Sequence, residues 1–264
     1  MAQLQRLAIA AEQVSGQTIA LTAAQQHYLG RVLRLRNGDR FIALLGAPSS
    51  AQASPESSDQ PVSVTCWWLA EFREMAAELL EPVFARTELV VAVTLLLALP
   101  KAGMEDVVRQ ATELGVQTIV PVLSQRSLLK PSPQKQERWQ RIAQEAAEQS
   151  ERQFIPQIVA PLDWPTALQT HSHGRCYLCE ARGDHPHLLC QLMRDWQQGS
   201  TQLSAMTLAV GPEGGWTEAE IAQAIAHHYQ PVSLGARVLR SVTAPLAALA
   251  LLAGVTEAEG FNCS

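Results

Sequence analysis

The chain has 264 residues, 47% hydrophobic and 17% charged, which is typical of a globular protein with one or two domains. Its formal net charge of −5 excludes an overall basic field, so any polyanionic partner must be bound by local patches. The five cysteines are an odd number in a long chain, which argues against a disulfide framework.

The apolar segments indicate a soluble, cytoplasmic protein with no membrane span. Residues 1–13 contain Arg6 and no long apolar stretch, so no signal peptide is expected. The two longest apolar runs begin at Leu89 and Val242, and both are shorter than the roughly 20 residues that cross a bilayer. We expect a buried strand and a buried helix there.

The first 75 residues predict a small β-rich domain. Thr22 is expected to cap a helical turn within it. The segment 31–40, RVLRLRNGDR, holds four arginines and one acid, a local basic patch typical of a surface that binds an RNA backbone. Four runs rich in β-forming residues begin at Gln5, Gln17, Asp39 and Val62.

From about Glu88 onward, apolar β-type runs alternate with helical segments, which predicts a parallel sheet covered by helices on both faces. We expect domains over residues 1–75 and 76–264. The predicted strands are Leu89–Leu97, Gln117–Val120, Cys176–Cys179, Met206–Gly211 and Pro231–Leu234. The predicted helices are Met104–Leu114, Gln134–Arg152, His187–Gln197, Glu218–His228 and Ala244–Ala253.

Open parallel sheets bind ligands beyond the carboxyl ends of their strands, and two such loops are unusual. Gly211–Gly215 has three glycines and a proline, so a ligand can approach its backbone closely, and Thr217 is the expected cap of the next helix. Leu234–Pro245 carries Arg237 and Arg240, which suit phosphate or base recognition. A tight structural turn and two solvated arginines are the alternatives.

The helical segment after residue 133 has a predicted buried stripe at Trp139, Ile142, Ala143 and Ala146. Glu145, Gln149 and Arg152 follow the same spacing on an adjacent face. That face is either a solvated surface with an ordinary ion pair or a polar wall beside a cleft, and spacing alone does not choose.

A CxxC pair at Cys176 and Cys179, with histidines nearby, raises the alternative of a zinc site. The pair lies in a strand-like run, where residues three apart point to opposite faces of a sheet. We therefore expect no metal there.

Several motifs in one order, GPEGGWTEAEI, LGARVLRSVTA, KAGMEDVVRQATELG and AAEQSERQFIPQI, together resemble the 16S ribosomal RNA uridine-N3 methyltransferases of the SPOUT superfamily. The resemblance covers most of the chain except residues 47–61 and parts of 69–87. It implies a PUA-like β-barrel that binds RNA, then a SPOUT α/β domain with a C-terminal trefoil knot. It also implies S-adenosylmethionine as cofactor, 16S ribosomal RNA or the small ribosomal subunit as partner, and a homodimer.

The resemblance assigns roles to individual residues. Arg240 is expected to stabilise a uracil anion, and Glu213 and Glu145 are the candidate bases. Cofactor binding is expected at Cys179, Glu180, Gly211, Pro212, Gly214, Gly215, Leu234, Gly235, Val238, Leu239, Thr243 and Ala244. RNA contacts are expected from Arg6, Arg31, Arg34, Arg126, Arg152 and Arg237.

The chain departs from the family pattern at two positions. Val242 stands where the family has a glutamate, and Glu151 stands where a glycine is common, with the helix expected to continue through it. The alternatives are a SPOUT methyltransferase acting on a ribose hydroxyl or a transfer RNA base, and an RNA-binding or assembly protein with impaired catalysis.

Overall fold

The computed structural model describes residues 4–45, 67–83, 87–127, 131–199 and 204–258. The chain divides into two compact units: Met1–Glu88 with Ala147–Ile155 form unit 1, and Leu89–Ala146 with Pro156–Ser264 form unit 2. The boundary expected at residue 75 falls between two paired strands, whereas unit 1 runs on to Glu88 and includes a second segment. Within the described ranges, no helix is long and apolar enough to span a membrane.

Unit 1 is built on a six-stranded sheet with the order β1-β4-β5-β6-β3-β2, in which β1 and β4 are parallel and the other pairs are antiparallel. Phe41, Ile19, Leu29 and Phe72 are buried in its core. Its elements are β1 (Arg6–Ile9), β2 (Val14–Ser15), β3 (Thr18–Ala20), α1 (Ala23–His27), β4 (Arg40–Leu45), β5 (Trp67–Arg73) and β6 (Ala76–Pro82). Closure of this sheet into a barrel stays a prediction.

The helical turn expected after Thr22 is confirmed, because the Thr22 hydroxyl accepts a hydrogen bond from the Gln25 N–H at 3.3 Å. A short π-helical turn, Tyr28–Val32, follows α1. Strand β6 was not predicted. Its AAELLEP sequence is rich in alanine and glutamate, which are depleted in strands, but Ala77 and Leu79 alternate inward into the core.

Unit 2 contains a seven-stranded, wholly parallel sheet with the order β10-β8-β7-β12-β11-β13, and β9 also pairs with β8. The strands are β7 (Ala92–Ala98), β8 (Thr118–Leu123), β9 (Gln157–Ile158), β10 (Leu162–Asp163), β11 (Arg175–Cys179), β12 (Ala205–Val210) and β13 (Gln230–Val232). The helices are α2 (Met104–Glu113), α3 (Pro133–Gln149), α4 (Trp164–His171), α5 (Leu188–Gly199), α6 (Glu218–Ala226) and α7 (Ala244–Ala258), and the last three residues of α3 belong to unit 1.

Both faces of this sheet are covered, as the apolar strands predict. Along β7, Leu95 and Leu97 enter a core shared with α2, α3, α5 and α7, and Leu96 and Ala98 enter a second core shared with α4 and α6. Their alternation follows the two-residue period of a strand. The predicted buried stripe of α3 is confirmed, with Trp139, Ile142, Ala143 and Ala146 all at most 6% exposed.

The CxxC pair lies across the sheet as its strand position predicts. Cys176 packs with the α4–α6 core, and Cys179 packs with the other. Burial raises the pKa of the Cys179 thiol to about 12, so this thiol stays protonated near neutral pH. Among the described residues, no group of three or more His, Cys, Asp or Glu side chains is arranged to hold a metal ion.

The end of α3 corrects one expectation. The helix was expected to continue through Glu151, but it ends at Gln149, and Glu151 has a left-handed backbone with φ of 62°. The Arg152 N–H donates to the Ala147 carbonyl at 3.0 Å, a closing bond typical of a helix C-terminus. Glu151 therefore keeps the backbone conformation for which the glycine of the family pattern is suited.

Candidate functional site

One pocket of unit 2, with a volume of about 330 Å³, lies at the carboxyl ends of β11, β12 and β13. Its size falls within the range of about 300–1,000 Å³ typical of ligand sites. The lining residues are Arg126, Cys179, Glu180, Ala181, Arg182, Val210, Gly211, Pro212, Glu213, Gly214, Gly215, Trp216, Leu234, Gly235, Arg237, Val238, Leu239, Arg240, Ser241 and Ala244.

The structure thus brings together most of the residues chosen from the sequence. Every residue assigned to cofactor binding lines this pocket except Thr243, which immediately precedes α7. Glu213 and Arg240 also line it, as do Arg126 and Arg237. Sequence reasoning did not select Arg182, Trp216 or Ser241, because single residues in loops give no periodic signal.

The glycine loop, Gly211–Trp216, is a tight turn in which the Gly215 N–H donates to the Pro212 carbonyl at 2.8 Å. Gly215 has a φ of 70°, a conformation that side chains disfavour. A Cβ placed on Gly211 would lie 3.1 Å from Nε1 of Trp216. This corrects the reason expected for Gly211, since the space beside its Cα is taken by the indole of Trp216.

A stack of two buried tryptophan rings supports the glycine loop. Trp216 is 5% exposed and stacks on Trp164 with ring centroids 4.4 Å apart. The Trp164 indole N–H donates to the Glu220 carbonyl at 3.1 Å, which ties the stack to α6. The buried Nε1 of Trp216 has no hydrogen-bond partner among the described residues. Removing the Trp216 side chain would therefore remove the packing that supports the glycine loop.

A capping box starts α6, as expected from Thr217. The Thr217 hydroxyl accepts from the Glu220 N–H at 3.3 Å, and the Glu220 carboxylate accepts from the Thr217 N–H at 2.8 Å. Glu220 is only 1% exposed, and its second oxygen accepts from the Gln125 N–H at 2.8 Å. One buried carboxylate therefore joins the loop after β8 to the start of α6.

Glu213 links the glycine loop to two further strand ends. Its Oε1 accepts hydrogen bonds from the Lys101 N–H at 2.9 Å and the Ser241 hydroxyl at 3.0 Å. Burial opposes ionisation of this carboxyl, but these hydrogen bonds outweigh it and hold the pKa of Glu213 below its ordinary value. A carboxylate so stabilised is a weak base.

The two arginine side chains in the loop from Leu234 to Thr243 have no partner among the described residues. The guanidiniums of Arg237 and Arg240 form no hydrogen bond or ion pair with another described residue, and the same holds for the Arg182 guanidinium. Val238, which also lines the pocket, is 79% exposed. Unpaired guanidiniums and an exposed apolar side chain at one pocket are the features of a surface that contacts a ligand.

Val242 does not replace the missing carboxylate. It packs against the larger core, and a Cβ on Gly103, at the start of α2, would lie 2.9 Å from its Cγ1. The glutamate of the family pattern is therefore absent at this position, and among the described residues Glu180 and Glu213 are the carboxylates that line the pocket.

Comparison with known proteins identifies the chain. Residues 87–253 match the model of an RNA methyltransferase domain, and residues 21–48 match that of an RNA methyltransferase PUA domain. The ribosomal RNA small subunit methyltransferase E of Synechocystis sp. is 44% identical over 258 residues, covering 96% of this chain and 78% of that protein. This chain belongs to the small-subunit ribosomal RNA methyltransferase E family.

Other members of the family match along most of their length. The Bacillus subtilis methyltransferase E is 28% identical over 251 residues, which cover 91% of each chain. The crystal structure of the Neisseria gonorrhoeae methyltransferase E bound to S-adenosyl methionine has a TM-score of 0.71 and 26% identity, covering 94% of this chain and 96% of that one. The resemblance seen in the sequence is confirmed.

In this methyltransferase E family member, several residues that the sequence assigns to catalysis or RNA binding do not line the pocket. Glu145 is exposed on α3, 3.8 Å from Nε of Arg141, and it stays a prediction. Arg31 and Arg34 are exposed in unit 1. Arg6, with a side chain only 15% exposed, forms an ion pair with Glu151 at 2.7 Å and lies 5.1 Å from the Trp67 ring centroid.

The RNA contact expected from Arg152 is corrected by the structure. The Arg152 side chain is 2% exposed, so it is not available at the surface for RNA to contact. Within unit 1, its Nε donates to Glu88 at 3.1 Å, and its carbonyl accepts from the Trp67 indole at 2.7 Å. Glu88 also accepts from the Gln153 N–H at 2.7 Å. Arg152 is therefore part of a buried ion pair that joins the two segments of unit 1.

Proposed function

We propose that this protein uses S-adenosylmethionine to methylate N3 of a uridine in 16S ribosomal RNA of the small subunit. The observation that carries the proposal is the pocket at the ends of β11, β12 and β13, which gathers the family's glycine and arginine loops. Family members are named for methylation of small-subunit ribosomal RNA, and one has been crystallised with this cofactor.

The pocket residues fit S-adenosylmethionine in chemistry. Val210, Leu234 and Leu239 supply apolar surface for a purine, and Glu180 supplies a charge suited to the amino group of the cofactor. The bare backbone at Gly215 and Gly235, beside which no atom lies closer than 3.9 Å to an added Cβ, lets a ligand approach closely. The pocket extends to Ala244, and Thr243 beside it remains part of the proposed site.

When bound, the cofactor supplies a methyl group on a positively charged sulfur. The chain's own task is to position the uracil and help remove its N3 proton, and positioning alone contributes about 7–11 kcal/mol in well-oriented reactions. Arg240 is the residue proposed to stabilise negative charge on the uracil carbonyls, because its guanidinium is unpaired within the described chain. We assign Glu213 a positioning role, since two hydrogen bonds occupy its Oε1.

RNA recognition is proposed for two basic surfaces. In unit 1, the exposed Arg31 and Arg34 would contact the RNA backbone. In unit 2, the unpaired Arg182 and Arg237 would contact the RNA beside the pocket. The target base must lie unstacked for its Watson–Crick edge to reach the pocket. Ribosomal RNA as substrate would place the reaction in the cytoplasm.

The trefoil knot and the homodimer are also parts of this proposal. The knot follows from the resemblance to SPOUT enzymes, and its support is that the ends of β11, β12 and β13 form one pocket. The homodimer is supported by an apolar groove between α5 and α7, where Met193 is 46% exposed and Leu251 and Val255 line the opposite side. Light scattering of wild type and Met193→Asp tests it, with loss of the dimer expected in the variant.

The test of function is methyl transfer to small subunits from a strain that lacks the gene. Mass spectrometry should locate one new N3-methyluridine, and Arg240→Ala should lose turnover at unchanged cofactor affinity, whereas Arg109→Ala, an exposed residue on α2, should match wild type. A methyl group on a ribose or on transfer RNA would favour another target. Cofactor binding without turnover would favour an assembly protein.

A further inference from the structure

Arg126, in the loop after β8, is bound to the backbone of the glycine loop. Its Nη1 donates to the Gly214 carbonyl at 2.6 Å and to the Trp216 carbonyl at 3.3 Å. Its aliphatic part fills the space beside Gly214, where an added Cβ would lie 3.0 Å from Cδ of Arg126 and 3.5 Å from its Cβ. Hydrogen bonds and packing thus join the same two residues.

The neighbouring residue makes a second connection. The Gln125 N–H donates to Glu220, the buried carboxylate that also caps α6 at Thr217. Hydrogen bonds to a charged group are roughly twice as strong as neutral ones. Two consecutive residues of one loop therefore hold the middle of the glycine loop and the start of the helix that follows it.

We propose that Arg126 is a positioning residue that holds the glycine loop in the shape needed to bind the cofactor, and not an RNA contact. This inference rests on the proposed function, which supplies the ligand. A loop without this connection would sample other conformations, and the apparent affinity falls with the fraction of molecules in the competent one. One planar guanidinium reaches two carbonyls, which a lysine ammonium matches less well.

The other pocket arginines provide the contrast. Arg182, Arg237 and Arg240 have guanidiniums without partners among the described residues, so they are free to contact RNA. The Arg126 guanidinium already donates to Gly214 and Trp216. Substituting Arg126 should therefore affect a different binding step from substituting Arg237.

Calorimetric titration of S-adenosylmethionine into the full chain tests this, together with RNA binding to the cofactor-free protein. We expect Arg126→Ala to raise the cofactor Kd about tenfold or more, with Arg126→Lys intermediate and with kcat at saturating cofactor within about threefold of wild type. RNA affinity should not change. Arg237→Ala, the matched control, should weaken RNA binding and leave the cofactor Kd unchanged. Weaker RNA binding at an unchanged cofactor Kd in Arg126→Ala would overturn the proposal.

A double-mutant cycle gives a second readout that does not depend on activity. Gly214 lacks a left-handed φ, and the three atoms nearest to an added Cβ all belong to the Arg126 side chain. We expect Gly214→Ala to weaken cofactor binding in the wild-type background and to have little further effect in Arg126→Ala. Additive losses would contradict the inference. Absence of cofactor binding by the wild type would overturn the proposed function as well, whereas wild-type affinity in both variants would overturn this inference alone.

Discussion

Glu213 Oε1 accepts a hydrogen bond from the Ser241 hydroxyl at 3.0 Å, which joins the glycine loop to the loop that carries Arg240. The same oxygen accepts from the Lys101 N–H, so loops after β7, β12 and β13 meet at one carboxylate. Ser241 is 6% exposed, so little water competes for this bond. The backbone next to Arg240 is thereby fixed relative to the glycine loop.

This relationship predicts a pH dependence of stability that belongs to Glu213. Because the pKa of Glu213 is lower in the folded protein than its ordinary value, the ionised carboxylate stabilises the fold above that value. The contribution should be lost as pH falls through the lowered pKa. Thermal melting of wild type and Glu213→Gln should therefore differ at pH 6–8, with the difference shrinking below an ordinary carboxyl pKa of about 4.3 and vanishing only below the lowered pKa of Glu213. A difference independent of pH would contradict this assignment.

Gly211→Ala should weaken cofactor binding indirectly. The new methyl would lie 3.1–3.3 Å from the Trp216 indole, so the ring or the turn must shift by a few tenths of an ångström. We expect a change in the tryptophan emission of the cofactor-free protein and a cofactor Kd raised several-fold. Gly30→Ala in unit 1 is the control, because the atom nearest to the added Cβ there, Cζ of Phe72, lies at an ordinary contact distance of 3.7 Å. Unchanged emission with weaker binding would restore direct cofactor contact as the explanation.

The sequence predicts the parallel sheet of unit 2 well, because long apolar runs such as β7 and β12 have no other stable environment. It also predicts the pocket, since strand-end glycines and arginines gather wherever parallel strands end together. It does not predict which hydrogen bonds join these loops to one another. The role of Arg126 depends on Gly214, 88 residues away, and that of Glu213 on Ser241, so neither gives a local signal.

The burial of Arg152 likewise depends on a distant partner, and its consequence is measurable. Arg152→Ala leaves Glu88 without its cation in a buried site, which costs about 3–5 kcal/mol when one partner of such a pair is removed. Urea denaturation should show this loss, with RNA affinity of the folded fraction unchanged. Arg34→Ala, at an exposed position, should instead weaken RNA binding and leave the free energy of unfolding unchanged. Full stability of Arg152→Ala would contradict the buried pair.

The left-handed backbone at Glu151 predicts the order of two substitutions. Both Glu151→Gly and Glu151→Ala remove the ion pair with Arg6, so they differ in backbone preference alone. A left-handed residue other than glycine costs about 1–2 kcal/mol. The glycine variant should therefore unfold at a higher urea concentration than the alanine variant, by about 1 kcal/mol in free energy of unfolding. Equal midpoints would mean that the helix end relaxes.

The two-segment make-up of unit 1 has a consequence for dissecting this enzyme. A fragment that ends at Glu88 would carry that carboxylate without Arg152, and the Trp67 indole without the carbonyl that accepts its hydrogen bond. Unit 1 therefore cannot be removed, or replaced by another domain, through a single cut in the chain. Gene fusions and domain swaps must carry residues 147–155 along, and recombination during evolution faced the same constraint.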